Sequence, residues 1–337
     1  MKYLLKKSLQ FSIAICVGLS CYQPSAQGTP QSKAAIEARV KLASKLLKAG
    51  KNADVVASLK PYVLDLPRHG LLALAKAYHA QKNYLEETRI LESTLAQNEQ
   101  DYYVQTLLGE CFFSNNELEK AADNFSHAKE IKSDYLPAFQ GLAKTYEAKG
   151  QVEDARQTYT DMIRAFGSNK FYFNEICRLY AIDGSVQEGI VACQKATSFD
   201  PNFAANHIAL GQMLIENEQS ERGEMIIVRA AKQFKKSTEA QIAAGKLKFK
   251  HRQWHDAASY YAQATAINPK SDEAFLGLGK ALFELQKYND AKFAFTKACT
   301  LNKKYVVDLR NAIAELRQKD KLNIATDFES GLGRCGG

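Results

Sequence analysis

Small residues recur along this chain at a fixed step. Starting from Gly245, steps of 34 residues meet Gly211, Gly279, Cys177, Ala143, Gly109 and Ala75. A second small column runs through Ala291, Ala257, Gly223, Gly189, Ala155 and Ala121, with Glu87 its one departure. A third holds Ala298, Ala264, Ala230, Ala196, Met162, Ala128 and Thr94. Large apolar residues keep the same step, as in Leu91, Phe125, Tyr159, Cys193, Ile227, Tyr261 and Phe295, or Tyr78, Phe112, Tyr146, Tyr180 and Leu214. Within a unit the columns interlock at spacings of 3, 4 and 7, the period of a buried helix face. Each unit therefore predicts two helices, with a polar break near Asn116, Gly150 or Gly184. One such pair cannot bury its apolar face alone, so successive pairs must stack.

The period resembles that of the tetratricopeptide repeat family. Its motif pieces are present as Leu278-Gly279 with Leu282, as Leu142-Ala143 with Tyr146, and as Tyr288, Ala291, Phe295 and Ala298 in sequence. A proline closes units at Pro201 and Pro269. The resemblance covers seven ungapped units over residues 68–305, after a degenerate unit at 36–67. Pro61 predicts a shortened or kinked second helix in that unit. Residues 306–319 read as an amphipathic capping helix, and 320–337 as a flexible tail. The resemblance implies an all-α, right-handed superhelical solenoid of antiparallel helix pairs, about eight repeats plus the closing helix.

The start of the chain has a different pattern. MKYLLKK is basic, SLQFSIAICVGLS is a short apolar run, and CYQPSAQG brings small residues and a proline. That order predicts an export signal over residues 1–28, cleaved near 20 or 28, followed by a linker at 29–35. The apolar run is short for a membrane span. Cys21 provides an alternative, lipid attachment, although Gly18 stands where a bacterial lipobox has leucine. The expected location is the periplasm or outer-membrane periphery of a Gram-negative bacterium. By leader and architecture the chain resembles the tetratricopeptide lipoproteins that help envelope machinery assemble.

Composition adds little. The formal charge is +8, and losing Lys2, Lys6 and Lys7 would leave 8 − 3 = +5. No long block of Lys and Arg suggests nucleic acid. Of the seven cysteines, Cys16 and Cys21 lie in the leader and none form a CxxC pair. Cys177 and Cys193 share a unit, and two readings stay open: buried thiols acting as small hydrophobes, or a disulfide. Cys335 reads as exposed.

One hexapeptide, HRQWHD at 251–256, invites a metal site, because His251 and His255 are four residues apart. Repeat phase argues otherwise. His251 shares a column with Gln81, Asn115 and Asn217 at a helix end, and His255 shares one with Glu119 and Glu153 at a helix start. Trp254 sits among Tyr84, Leu118, Val152 and Tyr288 as a packing residue. With no GxSxG, HExxH or Gly-rich phosphate loop, no catalytic, cofactor or metal role is expected.

In the family the first helix of each pair lines a concave groove that holds a protein segment. The residue after the small Gly/Ala position reads Lys76, Glu110, Lys144, Arg178, Gln212, Lys246 and Lys280, mostly basic. Three residues on come His79, Phe113, Glu147, Ala181, Ile215, Phe249 and Phe283. Four residues before the first column come Leu72, Thr106, Gln140, Asn174, Ile208, Ile242 and Leu276. The resemblance therefore implies a basic stripe with apolar walls, suited to a protein or peptide with acidic and apolar residues. Phe249 is expected to point away from Trp254, toward the partner. The family's carboxylate clamp pairs Lys with Asn, and no Asn occupies the post-glycine column here. Nucleic acid is not expected as a partner, and a membrane only through a lipid on Cys21.

Overall fold

The computed structural model describes residues 32–335, so the export signal, its cleavage points and Cys21 lie outside the described residues. Among the described residues there are eighteen α-helices and no strand. They fall into two compact units, divided along the chain between Glu99 and Gln100.

The first unit holds α1 (Lys33–Lys48), α2 (Asn52–Leu59), α3 (Arg68–Ala80) and α4 (Tyr84–Leu95). Helix α1 starts inside the stretch expected to be linker, because Ser32 caps it by accepting a bond from the Ala35 amide at 3.3 Å. Helix α2 ends at Leu59, ahead of Pro61, and the chain continues as a 3₁₀ segment over Lys60–Asp65. Proline lacks the amide that another α-helical turn would use. Ile36, Val40, Ala43, Val55, Leu59, Leu71, Leu74 and Tyr78 make the core of this unit.

The second unit is seven helix pairs: α5 (Tyr102–Ser114) and α6 (Leu118–Ile131), α7 (Leu136–Lys149) and α8 (Val152–Phe166), α9 (Lys170–Asp183) and α10 (Val186–Phe199), α11 (Ala204–Glu216) and α12 (Ser220–Gln233), α13 (Thr238–Lys250) and α14 (Trp254–Ile267), α15 (Asp272–Glu284) and α16 (Tyr288–Leu301), then α17 (Val306–Gln318) and α18 (Leu322–Leu332). Each second helix packs on the first helix of the next pair, as α6 does on α7 and α14 on α15.

The repeat is written into the backbone as well as the side chains. Left-handed residues occur at Lys82, Asn116, Gly150, Gly184, Glu218, Arg252, Gln286 and Asp320, each 34 after the last, with φ between 55° and 74°. Each ends the first helix of its pair. In most pairs the amide after the left-handed residue reaches back five residues, as Glu117 does to the Phe112 carbonyl at 2.8 Å and Gln253 to that of Lys248 at 2.9 Å. This bond satisfies carbonyls that the helix end would otherwise leave unpaired. Six of the eight left-handed positions in this series are not glycine, so the turn is imposed by tertiary packing as much as by local preference.

The same periodicity corrects the expected tail. Residues 322–332 are helix, not a flexible extension. Asp320 continues the turn series, Leu316 continues the Leu282 column, and Ala325 continues the Ala257 and Ala291 column and is buried. The closing element is thus a full pair. Its Phe328 is fully buried against Phe283 and Phe295.

Glycines of neighbouring pairs form slots for rings. A Cβ on Gly109 of α5 would lie 2.8 Å from the Phe125 ring of α6, and one on Gly141 of α7 would collide with the same ring, both meeting its Cδ1 and Cε1 atoms. Tyr261 of α14 sits the same way between Gly245 of α13 and Gly277 of α15. Here glycine is required by close approach, not by a turn.

Candidate partner-binding site

The residues proposed to read a partner sit on the first helices. In the second unit α5 lies beside α7, α9 beside α11, α11 beside α13 and α13 beside α15, forming a continuous row over α9–α15. The post-small column is the polar edge of that row. Glu110, Lys144, Gln212 and Lys246 are exposed, whereas the small residues before them, Gly109, Ala143, Gly211 and Gly245, are buried. Gln140 is exposed one turn ahead of Lys144. In the first unit, Lys76 is exposed on α3, and His79 faces the buried Glu87 at 3.0 Å and the ring of Tyr84.

The expected basic stripe is largely engaged in ion pairs between successive helices. Arg178 of α9 bridges Glu175 on its own helix and Glu147 on α7. Lys246 of α13 meets Glu273 of α15 at 2.5 Å, and Lys280 of α15 meets Asp308 of α17 at 2.7 Å. Lys144 is exposed and, among the described residues, has no ion-pair partner. Column reading missed this because the acids lie in other columns, about a repeat away, and a sequence column compares only like positions.

Glu147 shows how closed this network is. It takes the Arg178 guanidinium on one oxygen and the Tyr159 hydroxyl, at 3.0 Å, on the other. Burial, reinforced by the Glu147 and Glu175 carboxylates, pushes the Tyr159 hydroxyl well above the usual phenol range, so it remains a donor. Asn174, an expected reader, also bonds internally: it accepts from the buried Asn206 at 2.7 Å and donates to Asp200 at 3.2 Å.

The aromatic walls need correction. Phe283 is 7% exposed and belongs to the core under α18, so it is not an available anchor. Its burial follows from the last pair being complete. Phe249 does not point away from Trp254; the two rings pack 4.7 Å apart, and Phe249 is half-buried. Ile215 is half-buried, close enough to the second helix to block a Cβ on Gly223, and Phe113 is half-buried. Repeat phase also places Phe171 early in its unit, and the structure presents it exposed at the start of α9.

The histidine pair is split as repeat phase predicts. His251 follows the last residue of α13, Arg252 is the left-handed turn residue, and His255 lies in the first turn of α14. The His251 Nε2 faces Glu224 at 2.7 Å. Cys177 and Cys193 are bonded across the α9–α10 pair, with Cα atoms 4.6 Å apart. Cys335 is buried, not exposed, and is bonded to Cys299 of α16.

These features define a class: a helix-pair repeat protein whose first helices present ordered polar side chains. Residues 248–298 match the tetratricopeptide repeat family. Over that stretch the chain is similar to this family. It is 31% identical over 86 residues to the TPR repeat-containing protein YpiA of Bacillus subtilis (strain 168), a match covering 26% of this chain and 20% of that one. The chain thus spans about a fifth of that relative's length. Among solved structures it is similar to the C-terminal part of a TPR repeat-containing protein from Cytophaga hutchinsonii, with a TM-score of 0.57, 14% identity, and 71% of this chain and 99% of that one covered. A tetratricopeptide repeat protein from Parabacteroides merdae gives a TM-score of 0.53, 12% identity, and 80% and 99% coverage. Both are likenesses of fold.

Proposed function

We propose that the chain is an exported scaffold that holds a segment of another protein along its first-helix row, with no catalytic chemistry of its own, in the assembly of an envelope complex. The observation that carries this reading is the exposed polar edge of α7, Gln140 and Lys144, set on a helix whose opposite face is locked into its neighbours. A side chain fixed on a packed helix loses little entropy when it binds. The partner segment would offer acidic groups chiefly to Lys144, and apolar groups to the half-buried Phe113, Ile215 and Phe249. The basic-apolar leader and two cysteine pairs in a chain of this size support export to an oxidising compartment.

A photo-crosslinking residue at Gln140 or Lys144 tests the binding face, with Val191, exposed on the second helix α10, as the control. Cross-links confined to the first-helix positions support the reading, and equal yield at Val191 refutes it. Cys21 after the apolar run favours a second reading, a lipid-anchored assembly factor. Mass spectrometry of the mature N-terminus decides between them: acylated Cys21 establishes the anchor, and a chain beginning beyond residue 21 removes it.

A further inference from the structure

The bond between Cys299 and Cys335 has no counterpart in the repeat pattern, and the residues around it explain what it does. Cys299 is on α16 and Cys335 in the 3₁₀ turn that follows α18, Gly333–Cys335. Both are buried, and their Cα atoms are 5.5 Å apart, within the range a disulfide spans without backbone movement. Between them α18 lies flat on α16. A Cβ on Gly331 would reach 2.6 Å from the Thr296 hydroxyl, Lys292 pairs with Asp327 at 2.7 Å, and Phe328 is fully enclosed. Helix α18 has only eleven residues, a length at which an isolated helix is marginal in water.

We propose that Cys299 and Cys335 form a clamp, closed by thiol–disulfide exchange, that fixes α18 on α16 and thereby keeps Phe283 out of the binding row. With α18 docked, Phe328 stands 6.2 Å from the Phe283 ring and Phe283 is 7% exposed. With α18 released, Phe283 regains the place its column holds in the other units, where Phe113 and Phe249 are only half-buried. Closure requires an oxidant with an exchange-active disulfide. The Cys335 thiolate attacks one sulfur of that disulfide and expels the other as a thiolate. The Cys299 thiolate then attacks Cys335 in the mixed disulfide, the intramolecular bond forms, and the oxidant leaves as a dithiol. Two electrons pass from the chain to the oxidant, and the two thiol protons end, by way of solvent, on the oxidant's two released thiols. Cys335 is the entry sulfur because it moves with α18, while Cys299 is covered by that helix.

The test uses the purified full chain with oxidised glutathione as the exchange reagent, so it stands apart from the export reading. Peptide mapping after alkylation should find Cys299 linked to Cys335. Hydrogen exchange should then show α18 amides protected roughly tenfold to several hundredfold more in the oxidised chain than in Cys335→Ser or in Cys299→Ser/Cys335→Ser, the range set by closing a loop of this length. Amides of α11–α15 serve as the internal reference and should not change. A hydrophobic dye should bind the serine variants and not the oxidised chain. Failure of the bond to form, or α18 amides equally protected in all three proteins, overturns the proposal.

Discussion

Replacing Gly141 with alanine sets two known effects against each other. Gly141 is mid-helix in α7, where alanine is favoured over glycine by about 1 kcal/mol. The new Cβ would collide with the Phe125 ring. That ring is 2% exposed and is backed by Gly109, whose own ideal Cβ would lie 2.8 Å from it, so it has nowhere to retreat. Overpacking of this kind costs about 1–3 kcal/mol. We expect Gly141→Ala to be destabilising by about 0–2 kcal/mol instead of stabilising. Phe125→Leu alone should cost about 1–2 kcal/mol through lost contact and a residual void. The double variant should do better than the sum, with a favourable coupling of about 1–2 kcal/mol, since leucine vacates the space the methyl needs. The assay is urea unfolding of all four proteins, followed by hydrogen exchange over α5–α8, because repeat arrays can unfold in parts. A Gly141→Ala protein stabilised by the full propensity gain, or a cycle with no coupling, would show that the ring does not fill the glycine slot.

Two further outcomes follow from other parts of the second unit. The Cys177–Cys193 link closes a loop of sequence separation 16, so its loss in Cys177→Ala/Cys193→Ala should cost about 3 kcal/mol by chain entropy; with Cys299 and Cys335 replaced by serine in both proteins, reductant should lower the melting temperature of the chain that keeps the link and leave the variant unmoved. Asp183 sits beside the buried Arg156, and its burial, which alone would raise the carboxyl pKa, is outweighed by hydrogen bonds from Ser185 and by the guanidinium, leaving it below the usual carboxylate range. A lowered folded value means that the stabilisation is complete above the ordinary carboxylate pKa of about 4 and is lost as pH falls through the folded value; Asp183→Asn should therefore melt lower at pH 7 and show a shallower fall in melting temperature on acidification.

Most of the fold was legible in the chain because a repeat supplies its own alignment. Seven instances of one column separate an accidental glycine from a required one, and Gly109, Gly211, Gly245 and Gly279 all proved buried. The end of the array was missed for a nameable reason. In the last pair Ile313 replaces the small residue of the Gly245 and Gly279 column, so that column stops, while Leu316, Asp320 and Ala325 carry the phase onward. The candidate site was less legible. A column states what type of residue stands at a helix face, but the charge a partner meets depends on residues from the neighbouring pair. Lys246 and Lys280 look alike to Lys144 in sequence, and only packing reveals that the first two face Glu273 and Asp308.

That difference gives a ranking of the basic residues. The pair of Lys246 with Glu273 is solvent-exposed on both sides, 57% and 46%, so breaking it should cost no more than about 1 kcal/mol of stability. Its effect on a bound acidic segment should also be small, because Glu273 already occupies the ammonium. Lys144 has no such neighbour among the described residues, so Lys144→Glu should leave stability within about 0.5 kcal/mol of wild type. A charge-assisted hydrogen bond from Lys144 to a partner carboxylate contributes about 1.5–3 kcal/mol, so the reversal should weaken capture at least about tenfold. Arrayed synthetic peptides that interleave Asp and Glu with Leu and Phe supply the probe, read at low and high salt. Wild type should retain them most, Lys246→Glu somewhat less and Lys144→Glu least, with the gap closing as salt rises. If Lys246→Glu were the more damaging change, the ion pairs between successive helices would have to open on binding, and the rigid polar edge assumed for the site would be the wrong picture.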